Sequence, residues 1–471
     1  HPLGRVAPSR VDLGGVIEEN VMVPTAPPPD ELTGPSPPQE SQDILQQAGT
    51  QQAGDATFPG TAATSYYPPD PDVAAGPTSL VEVVNSQFDI YSKTGSKLPG
   101  GNVFKTFFTS LDTTGQTLFD PRVVYDNVSS RFFMVVSSIN RTTKQSFLFI
   151  AVSTSTNPAS SWRTYKIDAQ VVGSTRDVKY ADRPQLGVNQ SALFVTANEF
   201  TFGGSASYAR LYTFSKKGLI AGTGALTHVS GPLYSLSSSG SHTNQFTVEP
   251  GHVLDTRTPT ETMVNAYYGP AQTIILWRVV GAGGSTNPTI TSRPVTVPSY
   301  KQFATDAPQK GTTTLVSVRT NQTRISSAAY RDGHVYTAMT TASSVAANGS
   351  AVRFYDIATG SNTATSQEFT SSSYWAYNPA VTPSLGNADL TLTFGFSGTN
   401  WYPSASYVQR LSGSWTTAAA MALGGGTVTD GRFGDYAGAA ADPDGTHRYV
   451  IQEYGTGGSG AYDWRTSIMR K

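Results

Sequence analysis

One pattern recurs seven times between residue 66 and the end of the chain. Each copy opens on a polar or acidic residue, often next to proline, and continues with a short apolar strand, a tight turn and a second β-rich strand. The copies begin near Asp70, Asp120, Asp182, Glu249, Arg324, Asn378 and Gly434. Their starts lie roughly 50–80 residues apart, enough chain for about four strands each. We therefore expect an all-β, seven-bladed β-propeller.

The turns inside the copies support this prediction. Residues 125–127, 187–189, 331–333, 386–388 and 442–445 have turn-forming compositions, which are typical of β-hairpins. Apolar, β-branched and aromatic runs such as residues 131–136 and 192–196 follow the turns. A pair of β-sandwiches is the rival architecture, but the even spacing of the copies disfavours it.

Several motifs in the repeats resemble those of a known family. Residues 68–77 read PPDPDVAAGP, residues 88–95 read FDIYSKTG, residues 120–126 read DPRVVYD and residues 432–438 read RFGDYAG. These motifs resemble a largely uncharacterised family of secreted bacterial β-propeller proteins. The resemblance covers residues 66 to about 470. It implies the propeller fold and export, and it implies no reaction.

The first 60 residues differ in composition from the rest of the chain. They contain ten prolines, eight acidic residues and two basic residues, whereas residues 61–471 contain 30 basic and 25 acidic residues. A proline-rich polar segment cannot bury enough apolar surface to fold alone. We therefore divide the chain into an extended, acidic, Pro-rich N-terminal tail, residues 1–60, and a propeller, residues 61–471.

Part of the tail has the composition of an extended strand. It begins at Val11 and is rich in β-branched residues. A second stretch, residues 41–47, predicts one or two helical turns capped by Ser41. The tail is expected to dock either on its own propeller or on another copy of the protein, where it would donate a strand. The assembly residues in that case are Val16, Ile17, Val21, Met22 and Val23.

Composition excludes several classes of function. The net charge of −1 leaves no overall field to recruit nucleic acid. No run approaches the ~18 apolar residues of a membrane helix, so we expect no membrane span. The chain has no cysteine, which excludes disulfides and thiolate chemistry. Low charge and a first residue that is His1 rather than Met predict an extracellular, secreted protein whose signal peptide has been removed.

The residues that open the seven repeats should converge on one mouth of the central channel. They include carboxylates, arginines and an asparagine, which could bind a sugar, hold a cation or perform glycosidase chemistry. Alternatively, each could cap its strand and pair with the neighbouring blade, and their repetition favours this structural role. These central-funnel candidates are Asp70, Asp72, Asp120, Arg122, Asp182, Arg183, Glu249, Arg324, Asn378, Arg432 and Asp435.

Signatures of known enzyme classes are missing from the sequence. It contains no GxSxG elbow, no HExxH motif and no phosphate-binding loop. The candidate catalytic group is therefore the cluster around the fourth repeat, with His242 or His252 as general base and Glu249 as acid. We expect no cofactor and no metal. Residues 442–445 resemble part of a calcium loop but lack its later ligands, so they predict a turn, and nothing else supports a structural Ca²⁺.

Five Asn-x-Ser/Thr sequons are candidates for glycosylation. They lie at Asn127, Asn140, Asn189, Asn321 and Asn348. Two of them, Asn127 and Asn189, occupy equivalent hairpin turns on the face opposite the predicted funnel. Glycans on these turns would mark a solvent-facing side.

Three hypotheses of function follow from these features. The first is a glycosylated extracellular structural protein whose propellers are linked through residues 1–60 into oligomers or filaments. It predicts that deleting residues 1–60 leaves a folded, monomeric propeller. The second is a carbohydrate-binding propeller with glycans as partners. The third is a polysaccharide lyase or glycosidase that uses the central funnel.

Overall fold

The computed structural model describes residues 11–12, 40–43, 51, 53–172, 175–204, 206–222, 228–236, 242–255, 258–283, 287–458 and 463–471. They form a seven-bladed β-propeller, as the repeats predict. The inner strand of each blade faces the central axis. We call the face where the inner strands begin the upper face and the face where they end the lower face.

Blades 1 to 3 are antiparallel meanders of four strands. From the axis outward, blade 1 consists of Asp72–Ala75, Ser79–Val84, Gln87–Ser92 and Lys97–Val103. Blade 2 consists of Thr117–Asp126, Arg131–Asn140, Gln145–Ser153 and Trp162–Asp168. Blade 3 consists of Lys179–Val188, Ala192–Thr201, Ala206–Ser215 and His228–Pro232.

Blades 4 to 6 depart from the simple meander at their edges. Blade 4 consists of Glu249–Pro250, Glu261–Ala266, Ala271–Val280 and Thr289–Tyr300. Blade 5 consists of Ile325–Arg331, His334–Ala342, Ser350–Ala358 and Thr363–Thr370, and His252–Val253 pairs in parallel with its inner strand. Blade 6 consists of Trp375–Pro383, Leu390–Gly398 and Trp401–Leu411, the last of which pairs with Ser414–Trp415 and Ala419–Ala422.

Blade 7 is built from both ends of the propeller sequence. Gly438–Ala441, Arg448–Gly455 and Trp464–Arg470 supply its three inner strands. Ala56–Ala62 pairs antiparallel with Trp464–Arg470 as the outer strand. The domain boundary predicted at residue 60 falls inside this strand. Deleting residues 1–60 would therefore remove most of the strand that closes the ring.

Before residue 50, two short pieces of the tail are described, and both pair with the propeller of their own chain. Val11–Asp12 pairs in parallel with Tyr66–Tyr67. Glu40–Asp43 pairs in parallel with Gln367–Thr370, the outer strand of blade 5. The predicted helical turn at Ser41 is thus wrong for residues 41–43, because their backbone is hydrogen-bonded to a sheet edge. The assembly candidates Val16, Ile17, Val21, Met22 and Val23 lie outside the described residues.

The remaining described elements lie in the connections between blades, except for the helix Lys216–Ala221, which lies between two strands of blade 3. The α-helices are Phe104–Phe107 and Lys216–Ala221, and the 3-10 helices are Thr109–Leu111 and Arg319–Asn321. Two small hairpins pair Val171–Val172 with Thr175–Arg176 and Tyr234–Leu236 with His242–Asn244. Helix is scarce, as the sequence predicts.

Apolar side chains fill the spaces between neighbouring blades. Between blades 1 and 2, for example, Phe88 contacts Phe107 and Trp162, and Phe132 contacts Trp162 as well. Near the axis the strands come so close that glycine is needed. A Cβ atom on Gly438 would lie 2.4 Å from Asp72 Oδ1 and 2.7 Å from Asp72 Cα. The close contact between Gly438 and Asp72 joins blade 7 to blade 1.

Candidate functional site

The inner strands of six blades share a backbone irregularity near the upper face. At or just before each strand lies a non-glycine residue in the left-handed conformation, at φ between 47° and 55°. In blades 2, 3, 5 and 6 a β-bulge accompanies it. Such a residue costs roughly 1–2 kcal/mol, so the conformation must be stabilised by its surroundings. The residues are Asp70, Asp120, Arg183, Thr247, Thr323 and Asn378.

Hydrogen bonds between blades provide that stabilisation. In four blades the N–H of the left-handed residue donates to a polar side chain in the upper part of the preceding blade. The pairs are Asp120 N to Asn85 Oδ1 at 2.7 Å, Arg183 N to Asp120 Oδ2 at 3.2 Å, Thr247 N to Asn198 Oδ1 at 2.7 Å and Asn378 N to Thr340 Oγ1 at 3.0 Å. The polar residues that open the repeats therefore take part in joining the blades.

The upper part of the channel is filled by a network of charged and amide side chains. We call it the upper cluster, comprising Asp70, Asp120, Arg183, Asn321, Arg432 and Asp435. The amide of Asn321 bridges it: Oδ1 accepts a hydrogen bond from Arg183, and Nδ2 donates to Asp435 Oδ1 at 2.8 Å. Arg432 Nη2 lies 2.6 Å from Asp435 Oδ2. The N–H of Asp435 donates to Asp70 Oδ1 at 2.7 Å, which links blade 7 to blade 1.

A second layer lies next to this cluster around Arg122. Its guanidinium carbon lies 3.5 Å from the ring centroid of Tyr436, and Nη1 donates to the carbonyl of Ala437 at 3.5 Å. Burial lowers the pKa of Arg122, but Tyr436, followed by Asp72 and Glu249, outweighs this effect and raises the pKa. The layer therefore places one guanidinium between an aromatic ring and two carboxyl groups.

Burial raises the pKa values of these carboxyl groups toward neutral pH. Desolvation, followed by the charge of Asp435, raises the pKa of Asp120 to about 6. Desolvation also raises the pKa of Asp72 to about 6 and that of Glu249 to about 7, although nearby arginines oppose both shifts. Desolvation, followed by the charges of Asp435 and Asp120, also raises the pKa of Asp70 well above its ordinary value. The channel can therefore bind protons between about pH 5 and pH 8.

The predicted funnel residues are thus brought together in part. Asp70, Asp120, Arg183, Arg432 and Asp435 meet in the upper cluster, and Asp72, Arg122 and Glu249 meet in the layer next to it. Asn378 reaches only its edge, where Nδ2 donates to the carbonyl of Gly434 at 2.6 Å. Asp182 is buried and pairs across its own sheet with Asn198, while the guanidinium of Arg324 lies 5.2 Å from the Phe246 ring centroid.

Sequence reasoning missed three members of this region. Asn85 and Tyr436 were not predicted as site residues, although Tyr436 directly follows the candidate Asp435 in the sequence. Asn321 was assigned to glycosylation instead. It is the last residue of the short 3-10 helix before blade 5, outside the inner strands, so the repeat pattern carried no signal for it.

Some of the buried polar atoms in the channel have no partner in the described part of the chain. They are Nε and Nη2 of both Arg122 and Arg183, both side-chain polar atoms of Gln185, and Oε2 of Glu249. Oδ1 of Asn378 in blade 6 belongs to the same group, so these atoms occur on more than one side of the channel.

Of the predicted catalytic group, the structure describes the side chains of Glu249 and His252. Glu249 faces Arg122, Arg183 and Asp72 in the channel. His252 lies toward the lower face, where burial lowers its pKa to about 4 and its charged neighbours are Asp126 and Lys216. The two side chains therefore lie in different surroundings. The side chain of His242 lies outside the described residues.

The resemblance of residues 442–445 to a calcium loop has a different explanation. Asp442, Asp444 and His447 lie close together. However, Lys93 Nζ lies 2.6 Å from Asp442 Oδ2, and His447 hydrogen-bonds Asp444. Asp444 also accepts hydrogen bonds from the N–H groups of Thr446 and His447. These contacts are those of a side-chain-stabilised turn, which agrees with the turn predicted there.

Two glycosylation candidates need correction. Asn189 is 2% exposed and donates to the carbonyl of Pro259, and Asn321 is 3% exposed within the upper cluster. Neither amide can carry a glycan in the folded protein. Asn348 is exposed, whereas Asn127 and Asn140 are half-buried at the ends of strands.

An open cavity of about 500 Å³ lies on the axis at the lower face. We call it the lower cavity. Six blades contribute to it through the turns that follow their inner strands. Its lining consists of Pro77, Tyr125, Asn127, Ser130, Leu254, Asp255, Arg331, Asp332, Leu385 and Pro443. Another cavity, of about 520 Å³, lies off the axis between blades 4 and 5 and is bounded in part by Tyr300, Lys301 and Arg353.

Comparisons with known proteins give structural likenesses only. No family model matches the chain, and no curated protein matches it either. A sialidase of Trypanosoma rangeli in complex with sialic acid is 8% identical with a TM-score of 0.41, over 89% of this chain and 59% of that one. A mutant α-L-arabinofuranosidase from Fusarium graminearum is 10% identical with a TM-score of 0.37, over 73% and 93% of the two chains. An N-acetylgalactosamine deacetylase from F. plautii is 11% identical with a TM-score of 0.33, over 88% and 92%.

These likenesses go no further than the β-propeller fold. The chain spans about 60% of the length of the sialidases that it matches. In the part of the chain that the structure describes, no helix has the length and apolar character to cross a bilayer.

Proposed function

We propose that the protein is a secreted structural protein whose propellers assemble through the N-terminal tail. The observation that supports this proposal is the pairing of Glu40–Asp43 with Gln367–Thr370 at the outer edge of blade 5. Strand addition uses main-chain hydrogen bonds, so the same edge can accept the tail of a second copy. Such a contact is heterologous and builds rings or filaments.

The particle size of two chains tests this proposal. The full chain is compared with a truncation that begins at residue 51, which keeps Asp55, its 3.1 Å ion pair with Lys471 and the closing strand Ala56–Ala62. We expect oligomers or filaments from the full chain and monomers from the truncation, by light scattering and negative-stain imaging. Equal assembly of both chains, or a monomeric full chain at every concentration, would contradict it.

Paired proline substitutions supply the matched control. Proline lacks the N–H that strand pairing needs, so Ser41→Pro with Gln42→Pro should abolish assembly in the full chain. The same change outside the paired segment, Gln46→Pro with Gln47→Pro, should leave assembly intact. Loss of assembly in both variants would point to a general effect of the tail rather than to this pairing.

The second candidate function is carbohydrate binding, and the lower cavity favours it. Small-molecule sites are typically concave, about 300–1,000 Å³ in volume, and mix apolar walls with a few polar groups. Screening the truncation that begins at residue 51 on a glycan array tests this candidate. Binding to a defined glycan is the expected result, and a protein that retains no glycan would contradict it.

Polysaccharide degradation is the enzymatic form of this candidate. It would rely on Glu249, whose Oε2 has no hydrogen-bond partner among the described residues. A turnover screen should then show activity that Glu249→Gln abolishes in a chain that still folds, as circular dichroism would show. Unchanged turnover in that variant would exclude Glu249 as the catalytic acid.

A further inference from the structure

We infer that the lower cavity binds a small neutral sugar, and that it selects against acidic ones. This inference rests on the second candidate function, carbohydrate binding. It adds the location of the site, at the end of the channel opposite to the predicted funnel, and the charge class of the ligand.

The position of the cavity is the first argument. The upper end of the channel is filled by the hydrogen-bonded upper cluster, whereas the lower end is open with about 500 Å³ of space. Turns from six blades form its wall, so the ring of the propeller holds the lining residues in place. A site of this kind needs no rearrangement to bind a ligand.

The walls of the cavity combine apolar and polar surface. Pro77, Leu254, Leu385 and Pro443 supply apolar contacts. Such surface suits the C–H face of a sugar ring, while the hydroxyl groups at its edge need hydrogen-bond partners. The polar lining residues must therefore provide partners for hydroxyl groups.

Most of the lining atoms that can form further hydrogen bonds are acceptors. Oδ1 of Asn127 is buried and has no partner among the described residues. The Asp255 carboxylate accepts the N–H of Asp332 at 3.2 and 2.9 Å, which fixes its orientation. Each carboxylate oxygen has two lone pairs, so Asp255 can accept further bonds. The Asp332 side chain is 70% exposed.

The basic group of the lining is already engaged. Arg331 Nη1 donates to the carbonyls of Ser384 and Asn387, and Nε lies 3.1 Å from Asp332 Oδ2. Two carboxylates and one guanidinium leave the cavity with a formal charge of −1. A ligand rich in hydroxyl donors fits this lining, whereas a carboxylated sugar would meet like charge.

Calorimetric titration with defined sugars tests the inference. The probes are neutral xylo-, cello-, malto- and galacto-disaccharides, together with digalacturonic acid as the acidic probe. We expect the truncation that begins at residue 51 to bind at least one neutral disaccharide and to bind digalacturonic acid about tenfold more weakly or not at all.

Two variants locate the site. Leu385→Trp should fill the cavity, and Asp332→Lys should remove an exposed acceptor, so each should weaken binding of the neutral sugar about tenfold or more. If Leu385→Trp fails to fold, Asp332→Lys still tests the site, because the side chain of Asp332 is largely exposed. The control Asp112→Lys makes the same charge change at an exposed position between blades 1 and 2 and should bind like the parent chain.

The outcomes separate this inference from the function on which it rests. Neutral-sugar binding that survives both variants would overturn the location while leaving carbohydrate binding in place. Preference for digalacturonic acid would overturn the charge class. Failure to bind any glycan on the array or in solution would overturn both the inference and the candidate function.

Discussion

Asn85 joins blades 1 and 2 through both ends of its side-chain amide. Nδ2 donates to the carbonyl of Pro68 at 2.7 Å and to Asp70 Oδ2 at 2.8 Å, while Oδ1 accepts the N–H of Asp120. The residue is fully buried. One side chain thus supports two left-handed residues, which a sequence pattern built on strands and turns does not reveal.

Substitution of this asparagine should be costly. Asn85→Ala leaves the N–H of Asp120 and the carbonyl of Pro68 buried without a partner, so we expect a loss of about 3 kcal/mol in the free energy of unfolding. Chemical denaturation monitored by tryptophan fluorescence measures it. The exposed Asn102→Ala is the control and should stay within about 0.5 kcal/mol of the parent. Equal stability of the two variants would refute the role of Asn85.

The strand Ala56–Ala62 is the element that closes the ring. Its Thr61 N–H donates to both carboxyl oxygens of the buried Glu82, at 3.1 and 3.0 Å. It also covers the edge of Trp464–Arg470, which would otherwise be exposed. The strand therefore links the start of the propeller, its last strand and a buried carboxyl group of blade 1.

Removing this strand should destabilise the whole ring. We expect a truncation that begins at residue 63 to aggregate or to melt well below one that begins at residue 51, because it loses a strand pairing and leaves Glu82 without its backbone donors. Thermal unfolding followed by circular dichroism compares them. Matching melting curves would show that blade 7 is stable with three strands.

At the scale of the whole molecule, the buried carboxyl groups make stability depend on pH. Desolvation raises the pKa of Glu82 and Glu199 to about 7, that of Glu453 to about 8 and that of Asp72 to about 6. Their unfolded pKa values are near 4. The folded state therefore binds more protons than the unfolded state from about pH 4 up to the folded pKa of each group. The stability from these groups falls across this range and is fully lost above about pH 8.

The melting temperature should accordingly fall between about pH 5.5 and about pH 8.5. His252 acts in the opposite sense, because its lowered pKa costs stability only as the pH falls below its unfolded value near 6.5. Differential scanning calorimetry across this range measures the effect. Glu249→Gln removes one of the titrating groups and should reduce the fall, whereas a flat or rising profile in the parent chain would contradict the burial argument.

Much of the fold could be predicted because its signals are local. The turns at residues 125–127 and 331–333 and the strands that follow them are encoded in short stretches, and the structure confirms them. The site was harder to predict. Grouping Glu249 with His252 was natural at a separation of three residues, but the two side chains lie in different surroundings.

The sequence by itself determined seven blades, since each repeat carries the inner strands and turns of its blade, although the outer strand of blade 7 comes from residues 56–62. Tertiary structure decided how these blades are joined. Asp70 and Asp435 are 365 residues apart and meet because the ring closes, and Asn321 enters their network from outside the repeats. Tertiary structure also decided which end of the channel is open, because packing around the axis fills the upper end and leaves the lower end free. Contacts of this kind depend on the radial arrangement of all seven sheets, which no single stretch of sequence encodes.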